Sequence, residues 1–102
     1  MDYQDATVFE YVEFRCDSKF SQQQIFDALD ATIDILNETE GFVHRDIAKR
    51  DDIWVELVYW QDQDSANRGL EKFSSDPRNQ TLLAMIDQDS LSIYYSQLQK
   101  SR

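Results

Sequence analysis

The stretch IWVELVYW, residues 53–60, predicts a strand that is apolar on both faces, and this constrains the fold more than any other feature. Side chains alternate across a strand, so a half-solvated strand should be polar at every second position. Here one face carries Ile53, Val55, Leu57 and Tyr59, and the other carries Trp54, Glu56, Val58 and Trp60. Both faces of this strand are therefore expected to be buried. The carboxyl group of Glu56, between two tryptophans, has to be explained.

Three further strands are predicted from runs of β-branched and aromatic residues, at 7–16, 42–48 and 90–98. In the first, Val8, Val12, Phe14 and Cys16 share one face, and Phe9, Tyr11, Glu13 and Arg15 share the other. Strands two and three, joined by the polar KRDD, form a predicted antiparallel hairpin. A symmetric register places Arg45 opposite Glu56 and His44 opposite Leu57, whereas a one-residue bulge would bring His44 next to Glu56.

Two helical regions complete the pattern. The first spans 20–41: Ser21 and Gln24 form a capping box, Phe20 and Ile25 a hydrophobic staple, and Gly41 ends the helix. Its predicted inward residues are Ile25, Phe26, Leu29, Ile33 and Leu36. The second begins at an N-cap of Asp62 or Asp64, is interrupted at SSDP and resumes at Pro77. Its predicted inward residues are Ala66, Leu70, Phe73, Leu82, Leu83, Met85 and Ile86.

The order strand, helix, strand, strand, broken helix, strand predicts one α+β domain over residues 1–102, a four-stranded antiparallel sheet with its helices on one face. We expect the Ile53/Val55/Leu57/Tyr59 face to lie against the helices. Trp54, Val58 and Trp60 would then be in water, and hiding them is worth several kcal/mol at about 25 cal/mol per Å². The sequence therefore predicts a homodimer that packs sheet to sheet.

Composition narrows the function. The net charge of −10 disfavours nucleic acid and anionic membranes, because both are bound mainly through Lys and Arg. The single cysteine, Cys16, excludes an internal disulfide and predicts a small buried side chain. The N-terminal residues do not resemble a signal peptide, and no apolar run approaches the length of a membrane helix, so we expect a cytoplasmic protein.

The segment EGFVHRDIAKRDDIWVELVYWQDQDSANR resembles the signature stretch of the dimeric α+β barrel proteins. In that group a Gly-Phe pair, here Gly41 and Phe42, opens strand two. Strand three ends in a tryptophan followed by an acidic turn, here Trp60 and Asp62. The pattern is most similar to the antibiotic biosynthesis monooxygenase-like family. The resemblance implies a ferredoxin-like βαββαβ protomer, a dimeric barrel, and a cleft between sheet and helices for a flat hydrophobic molecule.

Relatives in this group include cofactor-independent quinone-forming monooxygenases and haem-degrading monooxygenases. The haem degraders carry an Asn on strand one and a Trp and a His in the second helical region. This sequence has Glu13 near the Asn position, and Phe73 and Leu82 but no Trp or His in that region. Its one histidine, His44, is on strand two, so haem degradation is disfavoured and no cofactor is predicted.

His44 and Glu56 are the candidate catalytic residues. Histidine is a common acid or base in enzymes, and an apolar setting would raise the pKa of Glu56 and make it a plausible base. The alternatives are an inert strand histidine and a cross-strand ion pair of Glu56 with Arg45. One histidine with scattered carboxylates predicts no metal site.

The candidate substrate-binding residues are Trp54, Trp60, Tyr94 and Phe73. Tyr94 and Tyr95 are neighbours on the last strand and must point to opposite faces, one into the core and the other towards the dimer or cleft.

Three hypotheses follow: a cofactor-independent oxygenase for an aromatic or quinol-like substrate, a non-catalytic binder of a small apolar ligand, and a dimer that contacts another protein. A cavity of about 300 Å³ or more with converging polar groups would favour the first two. Between these, the deciding observation is whether His44 or Glu56 reaches the cavity unpaired.

Overall fold

The secondary structure elements follow one another in the predicted order. The computed structural model describes residues 5–100. Its four strands are β1 Val8–Phe14, β2 Phe42–Arg50, β3 Ile53–Trp60 and β4 Ser92–Gln97, and they form an antiparallel sheet in the order β2-β3-β1-β4. One face of the sheet is covered by α1 Gln22–Ala31, α2 Ile33–Asn37, α3 Gln63–Ser75 and α4 Gln80–Met85. The predicted α+β, ferredoxin-like βαββαβ architecture is confirmed.

The first helical region begins as predicted but breaks in the middle. Ser21 and Gln24 form the capping box, and Gly41 has the left-handed φ of 90° that glycine favours. The break lies at Thr32, where the carbonyl of Leu29 accepts hydrogen bonds from the Thr32 backbone N–H at 3.1 Å and its hydroxyl at 2.6 Å. The single helix predicted over 20–41 is therefore wrong, because these short-range bonds end α1 at Ala31 and α2 begins at Ile33.

The hairpin of β2 and β3 has a different register from the predicted one. Only Asp51 and Asp52 form the turn, since Arg50 already pairs with Ile53. Arg45 lies opposite Val58 and His44 opposite Tyr59, and the irregularity falls between Phe42 and His44. The shift is two residues, an even number, so Arg45 and Glu56 still share one face of the hairpin.

The assignment of faces in β3 is the main correction. Trp54, Glu56, Val58 and Trp60 are buried against the helices, and the face that carries Ile53, Leu57 and Tyr59 is turned away from them. Trp60 is 2% exposed because Gly69 of α3 makes room for it: a Cβ at Gly69 would lie 2.4 Å from the indole ring. The largest apolar side chains lie under the helices because there they remove the most apolar area from water.

The helices bury most, but not all, of the predicted inward residues. Ile25, Leu29 and Leu36 are buried, and so are Ala66, Leu82 and Met85. Phe26 and Leu70 are exposed, contrary to the prediction, because each lies at the edge of its helix's apolar stripe.

The face of the sheet turned away from the helices, called the open face below, is also apolar. It carries Phe9, Tyr11, Leu57, Tyr59 and Tyr94. Tyr94 is 61% exposed, and ring contacts join Phe9 to Tyr59 and Tyr11 to Tyr94. The prediction that a sheet face is left without a cover by this chain's helices holds, although its residues are not the tryptophans.

Candidate functional site

A cavity of about 340 Å³, called the cleft below, lies between the sheet and the last two helices. Its wall is mostly apolar, with Val12, Val58 and Trp60 on the sheet side and Phe73 and Leu82 on the helix side. The cavity is large enough for a small ligand. The cleft that the family resemblance implies is thus present. Its volume exceeds the 300 Å³ or so that favours an oxygenase or a small-ligand binder over a dimer that only contacts another protein.

Glu56 lines the cleft and is paired with Arg45. Arg45 Nη1 donates to Glu56 Oε1 at 3.2 Å, and both side chains are buried. The same nitrogen donates to Thr32 Oγ1 at 2.6 Å and to the Leu29 carbonyl at 3.3 Å, so Arg45 also satisfies oxygens at the break between α1 and α2. The ion pair between Arg45 and Glu56 that the sequence suggested exists despite the shifted register. Arg45 lies opposite Val58, and Glu56, two residues away on β3, is its diagonal neighbour on the same face.

Burial raises the pKa of Glu56 to about 7, against the opposing effect of Arg45. The carboxyl group of Glu10 acts in the same direction as burial, because two nearby negative charges oppose each other's ionisation. A carboxyl group with a pKa near neutrality can both take and return a proton at physiological pH.

Glu10 is a cleft residue that sequence reasoning missed. It lines the cleft from β1, where Trp60 Nε1 donates to Oε1 at 2.7 Å and the Tyr95 hydroxyl lies 3.5 Å from Oε2. Burial raises its pKa, and the hydrogen bonds from Trp60 and Tyr95 partly oppose this. Glu10 falls between Val8 and Val12 at the alternation of the buried face, and this signal in the sequence could have identified it.

Asn79, in the turn Pro77–Asn79 before α4, also lines the cleft, and no signal in the sequence indicated it. It is 3% exposed, and its Nδ2 donates to the Phe73 carbonyl at 2.9 Å. Within residues 5–100, its Oδ1 is the buried side-chain polar atom left without a hydrogen-bond partner. A buried amide oxygen without a donor is costly, so this atom calls for a partner from outside the protein chain.

The structure places the predicted site residues in three locations. Glu56, Trp60 and Phe73 line the cleft, whereas Trp54 packs in the neighbouring core cluster with Lys49 over its ring. His44 lies on the open face, half-exposed, with Nε2 2.8 Å from Asp46 Oδ1.

Tyr94 lies on the open face as well, and its neighbour Tyr95 faces the helices. The expectation that Tyr94 lines the cleft is therefore wrong, because β4 pairs with β1 in the register that aligns Tyr95 with Glu10.

The polar side chains that line the cleft are Glu10 and Glu56 on the sheet wall and Ser74, Asn79 and Gln88 on the opposite side. Among residues 5–100, no group of three His, Cys, Asp or Glu side chains could hold a metal ion. None of the helices described here is long and apolar enough to span a membrane. This arrangement can bind an apolar molecule, accept hydrogen bonds from it and remove a proton from it.

Solved structures share this fold. SnoaB, a cofactor-independent oxygenase from Streptomyces nogalater, has a TM-score of 0.77 at 16% identity over 94% of this chain and 96% of its own. The monooxygenase ActVA-Orf6 of Streptomyces coelicolor, solved with nanaomycin D, has a TM-score of 0.70 at 12% identity over 97% and 93%. NE2512, a protein of unknown function from Nitrosomonas europaea, has a TM-score of 0.70 at 12% identity over 95% and 93%.

No protein-family model matches the sequence, and no curated protein does. The structural likeness confirms, for the fold, the resemblance seen in the sequence.

Proposed function

We propose that this protein is a cofactor-independent monooxygenase-like enzyme that acts on a small aromatic or quinol-type molecule held in the cleft. The observation that carries the proposal is a buried pair of carboxyl groups, Glu10 and Glu56, with raised pKa values on the wall of an apolar cavity. Perturbed carboxyl groups in a cavity are typical of sites that move protons. The likeness in fold to SnoaB and ActVA-Orf6 supports this choice of reaction class.

The proposed reaction needs only the substrate, dioxygen and a base. Glu56 removes a proton from an activated C–H group of the substrate, and the apolar wall with Trp60 and Phe73 holds the aromatic rings. The resulting carbanion gives its electrons to dioxygen, and a peroxide forms at that carbon. The protonated Glu56 returns its proton to the outer peroxide oxygen and gives a hydroperoxide. Glu56 then removes the second hydrogen of that carbon as a proton, the C–H electron pair forms the carbonyl as the O–O bond breaks, and the departing hydroxide takes this proton from Glu56 and leaves as water.

Oxygen consumption with a panel of hydroquinones and anthrones tests this proposal. We expect uptake above background with at least one compound, and a loss of at least tenfold in Glu56→Gln, because the amide cannot take a proton. Glu71→Gln, exposed on α3, is the matched control and should keep the wild-type rate. His44→Ala tests the sequence-based candidate on the open face, and we expect little change.

The outcomes separate the hypotheses. A rate in Glu56→Gln equal to that of the wild type would remove Glu56 from the mechanism. No uptake with any compound, together with saturable binding, would favour the second candidate function, a non-catalytic binder of small ligands. That alternative has its own support, since Glu56 is already paired with Arg45, and Glu10 already accepts hydrogen bonds from Trp60 and Tyr95.

We also propose that two copies pack through their open faces as a homodimer. The support is the cluster of partly exposed apolar side chains on that face, which includes Phe9, Tyr11, Leu57 and Tyr59. Exposed apolar patches of this kind mark interaction sites. The cytoplasmic location expected from the sequence stays a prediction.

Light scattering after size-exclusion chromatography tests the dimer. We expect twice the chain mass for the wild type and a monomer for Leu57→Asp, because a charge at an apolar interface cannot be solvated there. Phe26→Asp, at an exposed apolar position on α1, is the control and should remain dimeric. A wild-type monomer at micromolar concentration would contradict the proposal.

A further inference from the structure

The buried charges beside the cleft do not balance. Glu10 and Glu56 line the sheet wall and are only 9% and 8% exposed. The buried cation next to them is Arg45, which donates to Glu56 Oε1 at 3.2 Å. Within the described part of the chain Glu10 forms no ion pair, and its partners are neutral: Trp60 Nε1 at 2.7 Å and the Tyr95 hydroxyl at 3.5 Å. With both carboxyl groups ionised, this wall carries one negative charge that no buried side chain described here neutralises.

Glu56 also has an acceptor atom that the protein leaves open. Arg45 donates to Oε1, and among the described residues no group donates to Oε2. This oxygen is not fully enclosed, so a group in the cleft can reach it. Glu10 keeps acceptor capacity as well, because a carboxylate has about four lone-pair sites and only two donors are near it. The sheet wall can therefore accept further hydrogen bonds from a ligand.

The two carboxyl groups are neighbours on one face of the sheet. In the antiparallel pairing of β1 with β3, Glu10 lies opposite Val58 and Val12 lies opposite Glu56, so the two glutamates are diagonal neighbours. Burial has the largest effect on the pKa of Glu56, and the nearby charge of Glu10 raises it further. A positive charge placed beside the two groups would relieve their repulsion and replace part of the hydration they have lost.

We infer that Glu10 is a specificity-determining residue that anchors a positively charged nitrogen, and that the cleft takes a small aromatic amine in its ammonium form. The ammonium group donates to Glu10, whose partners in the described chain are neutral, and Glu56 Oε2 stays open towards the adjoining atoms of the ligand. The aromatic body lies against the apolar wall of Val58, Phe73 and Leu82. This inference rests on the proposed function only in taking the cleft as the ligand site. It adds a ligand class, an arylalkylamine, and the residue that recognises it.

The charge of the whole chain acts in the same direction. A net charge of −10 attracts cations towards the protein and repels anions. A carboxylate or phosphate on the ligand would face the carboxyl groups of Glu10 and Glu56 at short range in an apolar cavity, where repulsion is strong. A neutral ligand would leave the additional negative charge of the wall without a partner.

Calorimetry under argon, with dioxygen excluded, measures the preference for charge apart from turnover. The probes share one naphthalene body: 2-(2-naphthyl)ethylamine, the neutral 2-(2-naphthyl)ethanol and the anionic 2-naphthylacetate. At about pH 8 an alkylamine is charged, as lysine is. We expect the amine to bind about ten- to a hundredfold more tightly than the alcohol, because hydrogen bonds between charged groups are the strong ones. The acetate should bind most weakly of the three.

Proton release gives a second readout in the wild type. Burial raises the pKa of Glu56 to about 7 and also raises the pKa of Glu10 from its ordinary value. An ammonium group beside them favours their charged forms and lowers both pKa values, so its binding at about pH 6 should release protons. Binding of the alcohol should release few or none. Titrations in two buffers of different ionisation enthalpy measure this difference.

Variants locate the charge preference. Glu10→Gln keeps the length of the side chain and an oxygen that can accept from Trp60, and the preference for the amine over the alcohol should fall by about tenfold. Glu71→Gln removes the same charge at an exposed position on α3, so it is the matched control and should keep the preference. If Glu10→Gln fails to fold, the three probes and the proton release of the wild type still decide the ligand class.

Equal affinity for the amine and the alcohol, tighter binding of the acetate, amine binding without proton release, or no binding of any probe would overturn the inference. An unchanged preference in a folded Glu10→Gln would overturn the role of Glu10. Preference for the amine without oxygen uptake by any aromatic compound would contradict the monooxygenase proposal and leave this inference standing. Oxygen uptake with neutral compounds and no preference for the amine would do the opposite.

Discussion

The two faces of the sheet are both rich in aromatic residues, yet they differ in what their polar residues do. On the face under the helices, Glu10 and Glu56 are buried and each has a buried donor, Trp60 or Arg45. On the open face, the polar pair of His44 and Asp46 is partly solvated. An apolar surface alone therefore does not identify a site; the difference lies in carboxyl groups held away from water next to a cavity.

Arg45 explains how the face under the helices can hold the carboxyl group of Glu56. Its guanidinium group donates to a carboxylate on β3 and to oxygens at the break between α1 and α2, so it links the sheet to the helical layer at the point where the helix ends. A buried charge is tolerated only when it is paired and hydrogen-bonded. At the break, the carbonyl of Leu29 accepts from Arg45 as well as from Thr32.

The largest expected effect is a difference in the free energy of unfolding between truncations on the two faces of the sheet. Trp60→Ala should lower the free energy of unfolding by about 3–5 kcal/mol, because it empties the space against Gly69 and removes the donor to Glu10. In the monomeric Leu57→Asp background, Tyr94→Ala, on the open face, should cost about 0.5 kcal/mol or less. Urea unfolding measures both, and equal losses would contradict the assignment of faces.

The second prediction uses pH. The ordinary pKa of Glu56, 4.5, rises to about 7 in the folded protein, so between these values the native state binds more protons than the unfolded state. Stability should therefore fall as pH rises from about 4.5 to about 7, by on the order of 3 kcal/mol, and level off above that. Glu56→Gln should remove most of this slope, whereas Glu71→Gln should keep it. Unfolding by urea across this pH range measures the slope.

Of two other carboxyl groups with shifted pKa values, Asp76 does not act in this pH window, whereas Glu10 adds to the slope within it. The pKa of Asp76 is lowered to about 2 by Arg78, so its stabilising effect is present above its ordinary pKa of 3.8 and is lost only at lower pH. Glu10 has a raised pKa and acts in the same direction as Glu56. A slope of equal size in Glu56→Gln would assign the effect to Glu10 instead.

Local sequence signals predicted the helices and strands, whereas contacts between these elements decided which face of β3 is buried. The capping box at Ser21 and the turn glycine Gly41 depend on neighbours in sequence, and both were predicted. The faces of β3 could not be assigned from alternation, because both alternating sets are apolar. The choice depends on Gly69, a residue on another element whose missing side chain accommodates Trp60.

The sequence indicated a residue of the cleft only where the alternation of side chains along a strand was enough to assign its face. Glu56 and its pairing with Arg45 survived a register error of two residues, since an even shift preserves the face. His44 was considered because histidine is a common acid or base. The same alternation of side chains places it on the open face, opposite Tyr59. Asn79 could not be predicted, because its burial depends on how the turn before α4 packs against Phe73.

The smallest expected effect compares two adjacent tyrosines on β4. Tyr95→Phe removes a hydroxyl 3.5 Å from Glu10 Oε2, a long contact, so the loss in the free energy of unfolding should be about 0.5–1 kcal/mol. Tyr94→Phe should change nothing measurable within one protomer, since its side chain is largely exposed. Spectroscopic titration adds a second readout: burial and Glu10 raise the pKa of Tyr95 to about 12, so the last phenol to ionise should disappear in Tyr95→Phe and persist in Tyr94→Phe. If both variants behaved alike, Tyr95 would not lie under the helices while Tyr94 lies on the open face. The difference between the two faces of the sheet would then not extend to β4.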